Sequence, residues 1–138
     1  MGSPAYHEGL INKEQMLFQL LKKEHGYYKT ILEIAQQENE TLKSHQAISA
    51  LKPLLKKKKI ILSCINEIES AMTPLKKYWQ GNQNRSDEAS QKINSELQAL
   101  GQLLKEILQL DLLSQKTMEN HLLYLRERTN ALSQQSNP

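Results

Sequence analysis

From Leu51 to Gln80 the chain reads LKPLLKKKKIILSCINEIESAMTPLKKYWQ, and the spacing of its apolar residues decides the fold. Leu51, Leu54, Ile61, Ile65, Ile68, Met72, Leu75 and Trp79 fall on one line of alternating three- and four-residue steps, broken only by Lys58. Steps of three and four put side chains on one stripe of an α-helix, and a stripe kept over this length belongs to a helix that packs on other helices throughout. Pro53 suits a first turn, where its missing N–H has no partner to lose, so the reading starts a helix at Lys52 after a helical turn from Ala47 to Leu51. Gly81, Asn82, Gln83 and Asn84 form a loop that ends it near Gln80, and Pro74 predicts a kink or an earlier end.

The segments on either side carry the same period. Leu17, Leu21, Tyr28, Ile31, Ala35 and Leu42 line one face of a helix predicted from near residue 10 to about Lys43, and Leu20, Tyr27 and Ile34 widen it. A wide stripe touches more than one neighbour, as in a bundle. Glu24 and Glu38 lie on that seam, where a carboxylate has to reach the rim or find a partner. Gly26 is tolerated there at a cost of about 1 kcal/mol relative to Ala.

A third helix, capped by Ser86 or Asp87, carries Ile93, Leu97, Leu100, Leu104 and Ile107, and its regular spacing then meets Asp111 and Ser114. The apolar set resumes at Met118, Leu122, Leu125 and Leu132. With no Pro or Gly between Asp111 and Thr117, the reading favours one continuous helix over a short fourth one. Leu103, Leu104, Leu108, Leu110, Leu112, Leu113, Leu122 and Leu123 exceed what one narrow seam needs, which fits either a groove for a partner helix or a helix central to the bundle.

The fold class expected is therefore all-α, an elongated antiparallel bundle of three to four long helices with coiled-coil-like packing. One domain spans 10–132, between an N-terminal 1–9 read as vector remnant and flexible lead and a flexible tail at 133–138. A length of 138 residues suits one domain, and 38% hydrophobic with 24% charged residues suits a narrow core under a large wet surface. Aromatic residues make up 5%, with five glycines, which argues against an all-β fold.

The same residues leave little room for a chemical site. His7, His25, His45 and His121 are too scattered for a helical metal pair, no glycine-rich phosphate loop occurs, and Cys64, alone, fits a small side chain beside the seam. Neither enzyme activity nor a cofactor or metal is expected. The run Lys56 to Lys59 wraps around the helix circumference, which makes it a solvated face or a lure for phosphate or an acidic partner. A net charge of +3 without interleaved Arg or aromatic residues gives no case for nucleic acid. No stretch is apolar enough to insert in a membrane, and no secretory signal is visible, so a cytoplasmic protein is expected.

The order of the parts resembles the FlgN family, the helical export chaperones of flagellar type III secretion. The likeness is carried by Leu20, Leu21 and Glu24 followed by Tyr28, by Ile31, Leu32 and Ile34 with Glu38, Leu42 and the link near His45, and by Lys59, Ile61 and Leu62 opening a long helix. The resemblance implies a chaperone that offers apolar surface of its last helix to the amphipathic terminal helix of a hook-associated or other secreted client. It implies as candidates for that surface Leu104, Ile107, Leu108, Met118, Leu122 and Leu125, and Tyr124 as a handle for the export apparatus. The alternative is a coiled-coil scaffold or self-associating component of a secretion apparatus, and a homodimer fits either reading.

Overall fold

The computed structural model describes residues 4–44, 48–81 and 88–135, with side chains from residue 13 to 134 within those ranges. The caps expected at Ser86 or Asp87, the loop residues 82–84 and residues 1–3 lie outside them. Three helices make up the fold: α1 (Pro4–Lys43), α2 (Lys52–Gln80), entered through a 3-10 turn at Ile48–Leu51, and α3 (Glu88–Gln135). This is an all-α bundle with three long helices. α3 runs unbroken through Asp111 to Thr117, as the absence of Pro and Gly there implies.

Three boundaries differ from expectation. α1 begins at Pro4, not near residue 10, because proline is accepted in a first turn. α3 continues through Ser133 to Gln135, where a frayed tail was expected. Pro74 does not end α2: it and Ser70, the residue whose carbonyl loses its partner, are both exposed, so water can take the freed carbonyl. The C-terminus of α2 is closed by the Gly81 N–H, which donates to the Lys77 carbonyl at 3.2 Å.

Cross-helix pairs fix the directions. Glu38 meets Lys58, and Lys13 lies 4.0 Å from the Tyr78 ring, so α1 and α2 run antiparallel. His25 donates from Nδ1 to Glu96 at 3.0 Å, and Asn39 meets Ser114, so α1 and α3 run parallel. The central helix is α1, which packs on both others, whereas among the described residues no Cα of α2 comes within 8 Å of one of α3. The wide stripe on α1 thus reports its position, and the surplus leucines of α3 do not make α3 central.

The core has two apolar sections. One joins Leu17 and Leu21 of α1 with Ile68, Met72 and Trp79 of α2 and Ile93 of α3; the other joins Ile31, Ile65 and Ile107. Beyond the second lies a polar layer. The Lys58 ammonium sits 3.5 Å from Glu38 and 3.7 Å from Asp111, and Ser114 donates to Asn39 over 3.5 Å. The residues that interrupt all three seams therefore meet one another.

Glu24 is a different case. It is 1% exposed on the α1 seam, and its nearest partner is another carboxyl, Glu69 of α2, with Lys76 close by. Burial first, then the hydrogen bond with Glu69 and the Glu69 charge, raise its pKa from 4.5 to about 7, with Lys76 pulling the other way. Burial and the same two carboxylates raise the pKa of Tyr28.

The folded state therefore holds a proton on Glu24 that the unfolded chain releases near 4.5. That contribution to stability is whole below pH 4.5 and is lost as pH rises to about 7. Urea unfolding across pH 5 to 8 is expected to show a fall of up to about 3 kcal/mol from this group, a fall that Glu24→Gln removes, leaving the variant more stable than the parent at pH 8. A Cβ at Gly26 or Gly101 would meet nothing within 4 Å, so Gly26→Ala and Gly101→Ala are each expected to stabilise by about 1 kcal/mol in the same assay.

Candidate functional surface

α1 ends at Lys43, and Leu42 shares a groove with Thr117, Asn120, His121, Tyr124, Leu125 and Arg128 of α3. The last turn of α1 is thus level with residues near 120 of α3, and α3 runs on past its neighbours for about another 20 Å at 1.5 Å per residue. Every described side chain from Leu122 to Gln134 is exposed. Among them are Leu122, Leu123, Tyr124, Leu125 and Leu132, large apolar groups that the described residues leave exposed. At its base the groove has a volume of about 690 Å³, with Leu42, Tyr124 and Leu125 as apolar wall and Asn120, His121 and Arg128 as polar edge.

The end of the core is written along one line of α3. At seven-residue intervals it carries Ile93, Leu100, Ile107, Ser114, His121 and Arg128. The first three are buried and apolar, Ser114 is buried and polar, His121 is half-buried and Arg128 is exposed. The face that holds α3 against α1 becomes more polar step by step, so the helix leaves the bundle with that face ready for water. Leu125 and Leu132 lie four residues after His121 and Arg128, on the line that flanks this face, and Leu122 and Leu123 lie further round the helix.

The candidates drawn from the family resemblance separate into three groups. Ile107 is 7% exposed and packed against Ile31 and Ile65, so it belongs to the core and not to a binding surface: it is the third residue of the buried heptad line. Leu104 and Leu108 are exposed, but on the flank of the bundle, about 27 and 21 Å of helix rise from Leu122. Met118 is half-buried at the base of the projecting turns, and Leu122, Leu125 and Tyr124 lie on them. The structure thus groups Met118, Leu122, Tyr124 and Leu125 and separates Leu104 and Leu108 from them.

Leu42, His121 and Arg128 were not picked out by the sequence. His121 reads as an isolated histidine unless the heptad from Ile93 is carried through Ser114, and Leu42 reads as seam until the end of α1 is known. Among the described residues no three His, Cys, Asp or Glu side chains are placed to hold a metal ion. No described helix is long and apolar enough to cross a membrane. Cys64 is half-buried and free.

Compared with known proteins, the chain matches no family model, no curated protein and no solved structure.

The placement gives opposite stability outcomes for similar substitutions. Leu122→Asp with Leu125→Asp is expected to shift the unfolding free energy by no more than about 0.5 kcal/mol, since both side chains are exposed. Ile107→Asp buries an uncompensated carboxylate and is expected to cost more than about 4 kcal/mol in urea melts monitored by circular dichroism.

Proposed function

We propose that this protein binds an amphipathic helix of another polypeptide and acts, in the manner of the FlgN family it resembles, as a cytoplasmic chaperone for exported proteins. The observation that carries the reading is the projecting end of α3, whose leucines and Tyr124 are left exposed by the described residues. Exposed apolar side chains gathered on one helix end are costly in solubility and are held where a partner covers them. A helix is the natural cover, because its own three- and four-residue stripe fits the ridges of the α3 leucines.

A micromolar complex needs about 8 kcal/mol net. With several kcal/mol more for association and ordering, the gain has to come from roughly 500–600 Å² of apolar surface at about 25 cal/mol per Å². Five large side chains facing an equal number on a client supply an area of that order. Covering a client's terminal helix would also keep it from pairing with its final assembly partners before export, which is what a chaperone of this kind achieves without any chemical step. The export apparatus is the second partner, with Tyr124, beside Arg126, as its proposed handle.

Pull-down from native cytoplasm with the intact chain as bait is expected to recover a secreted protein ending in an amphipathic helix. The Leu122→Asp, Leu125→Asp variant, with its melt unchanged, is expected to lose it. Recovery of the bait alone, insensitive to those substitutions, would favour a self-associating scaffold.

A further inference from the structure

We infer that the partner helix seated on the projecting turns of α3 is acidic, and that the lysines at the start of α2 select it. The inference rests on the helix-docking reading above and adds the chemistry of the partner.

The formal charge of the chain is unevenly spread. Residues 38–59 and 111–135, which make up the end of the bundle from the polar layer outward, hold nine Lys and Arg against five Asp and Glu; the rest holds nine against ten. The excess gathers in the first turns of α2, where Lys52, Lys56, Lys57 and Lys59 are exposed and Lys58 alone turns inward to Glu38 and Asp111. Lys43, in the last turn of α1, is exposed as well.

This arrangement runs against the ordinary electrostatics of a helix. The N-terminus of a helix carries partial positive charge from its unpaired N–H groups, and acidic side chains in the first turn normally offset it. α2 has no acidic residue there, and Lys52 opens it. The dipole and the lysines add, which costs stability in the isolated chain. An anionic partner turns that cost into attraction.

Position decides what the anion is attached to. Lys58 is level with Glu38 and Asp111, so Lys52, six residues nearer the N-terminus of α2, stands about 9 Å further along, level with the groove at Leu42 and Thr117. The exposed lysines thus form a collar around the start of α2 that stands level with the base of the apolar turns, on a helix that does not itself line the groove. A helix covering Leu122, Tyr124 and Leu125 brings its end or flank against the collar, and carboxylates on it meet Lys43, Lys52 and Lys56. A nucleic acid would match the charge but leave the leucines uncovered. A second copy of this chain would cover them but bring two like-charged collars together, which is repulsive.

The test uses two synthetic 20-residue amphipathic peptides with the same leucine face, one flanked by Glu and the other by Lys, titrated against the full chain by fluorescence anisotropy. The acidic peptide is expected to bind about tenfold or more tightly at low salt, with the gap narrowing as salt rises. In the variant Lys52→Gln, Lys56→Gln, Lys57→Gln, Lys59→Gln both peptides still bind and the gap closes; in Leu122→Asp, Leu125→Asp neither binds. Equal affinity of both peptides for the parent chain would overturn the acidic partner and leave helix docking intact. Failure of both peptides to bind, with concentration-dependent dimers in sedimentation, would overturn helix docking itself. Tighter binding of a single-stranded oligonucleotide that survives the leucine substitutions would replace the acidic helix with nucleic acid.

Discussion

Lys58 holds the three helices in register by reaching from α2 to a carboxylate on each of the others, Glu38 on α1 and Asp111 on α3. Seams made of leucine and isoleucine at three- and four-residue steps are nearly as well matched after a slip of seven residues as before it. Such a slip would bring Lys58 against Ile31 on one side and Leu104 on the other, leaving an ammonium group in apolar surroundings with no partner, at a cost of several kcal/mol. The correct register avoids that cost, and the Asn39–Ser114 contact beside it narrows the choice further. A charge inside a bundle adds little net stability compared with a well-packed leucine, but it excludes the alternatives.

The same layer marks where the molecule changes character. On one side of it, Ile31, Ile65 and Ile107 close the second apolar section of the core. On the other side α1 and the start of α2 run out and, among the described residues, α3 continues alone, with a polar heptad line and apolar flanks. A helix leaving a bundle usually becomes polar all round. α3 becomes polar along the line that had been buried, while the flanking line through Leu97, Leu104 and Met118 stays apolar at Leu125 and Leu132 after every described neighbour has ended.

Much of this was legible in the sequence, and the rest was not for identifiable reasons. Periodicity placed the seams of all three helices, because burial on one face repeats at the helical period whatever the neighbour is. It also marked Lys58, Glu38, Asp111 and Ser114 as interruptions, but a pattern read one helix at a time does not show that interruptions on different helices meet. The place of Ile107 was misread for a related reason. Its neighbours Leu104 and Leu108 are exposed, and the residue composition around it is the same on the buried and the exposed faces. The unbroken heptad from Ile93 through Leu100 was the signal that put it inside. The end of α1, which decides where α3 starts to project, depends on the link after Lys43, and helix boundaries are weakly encoded in local composition.

Two charge arrangements at the α1–α2 interface act in opposite senses. Lys58 attracts Glu38, while Glu24 and Glu69 repel each other unless a proton is shared between them. α2 is also the shortest helix, and among the described residues its backbone approaches α1 and the 3-10 turn but not α3. Its hold on the bundle therefore depends on one face, and part of that face weakens as Glu24 ionises. α3 is held to α1 by contacts that do not involve this pair: the His25–Glu96 bond, the Ile31–Ile107 packing and the Asn39–Ser114 layer. Loosening thus falls on α2 first, while the projecting turns of α3 and the groove at Leu42 keep their support. The lysine collar, however, sits on α2 itself. Attraction for an anionic partner is carried by the element that the Glu24 proton helps to hold, and apolar docking by an element that does not depend on that proton.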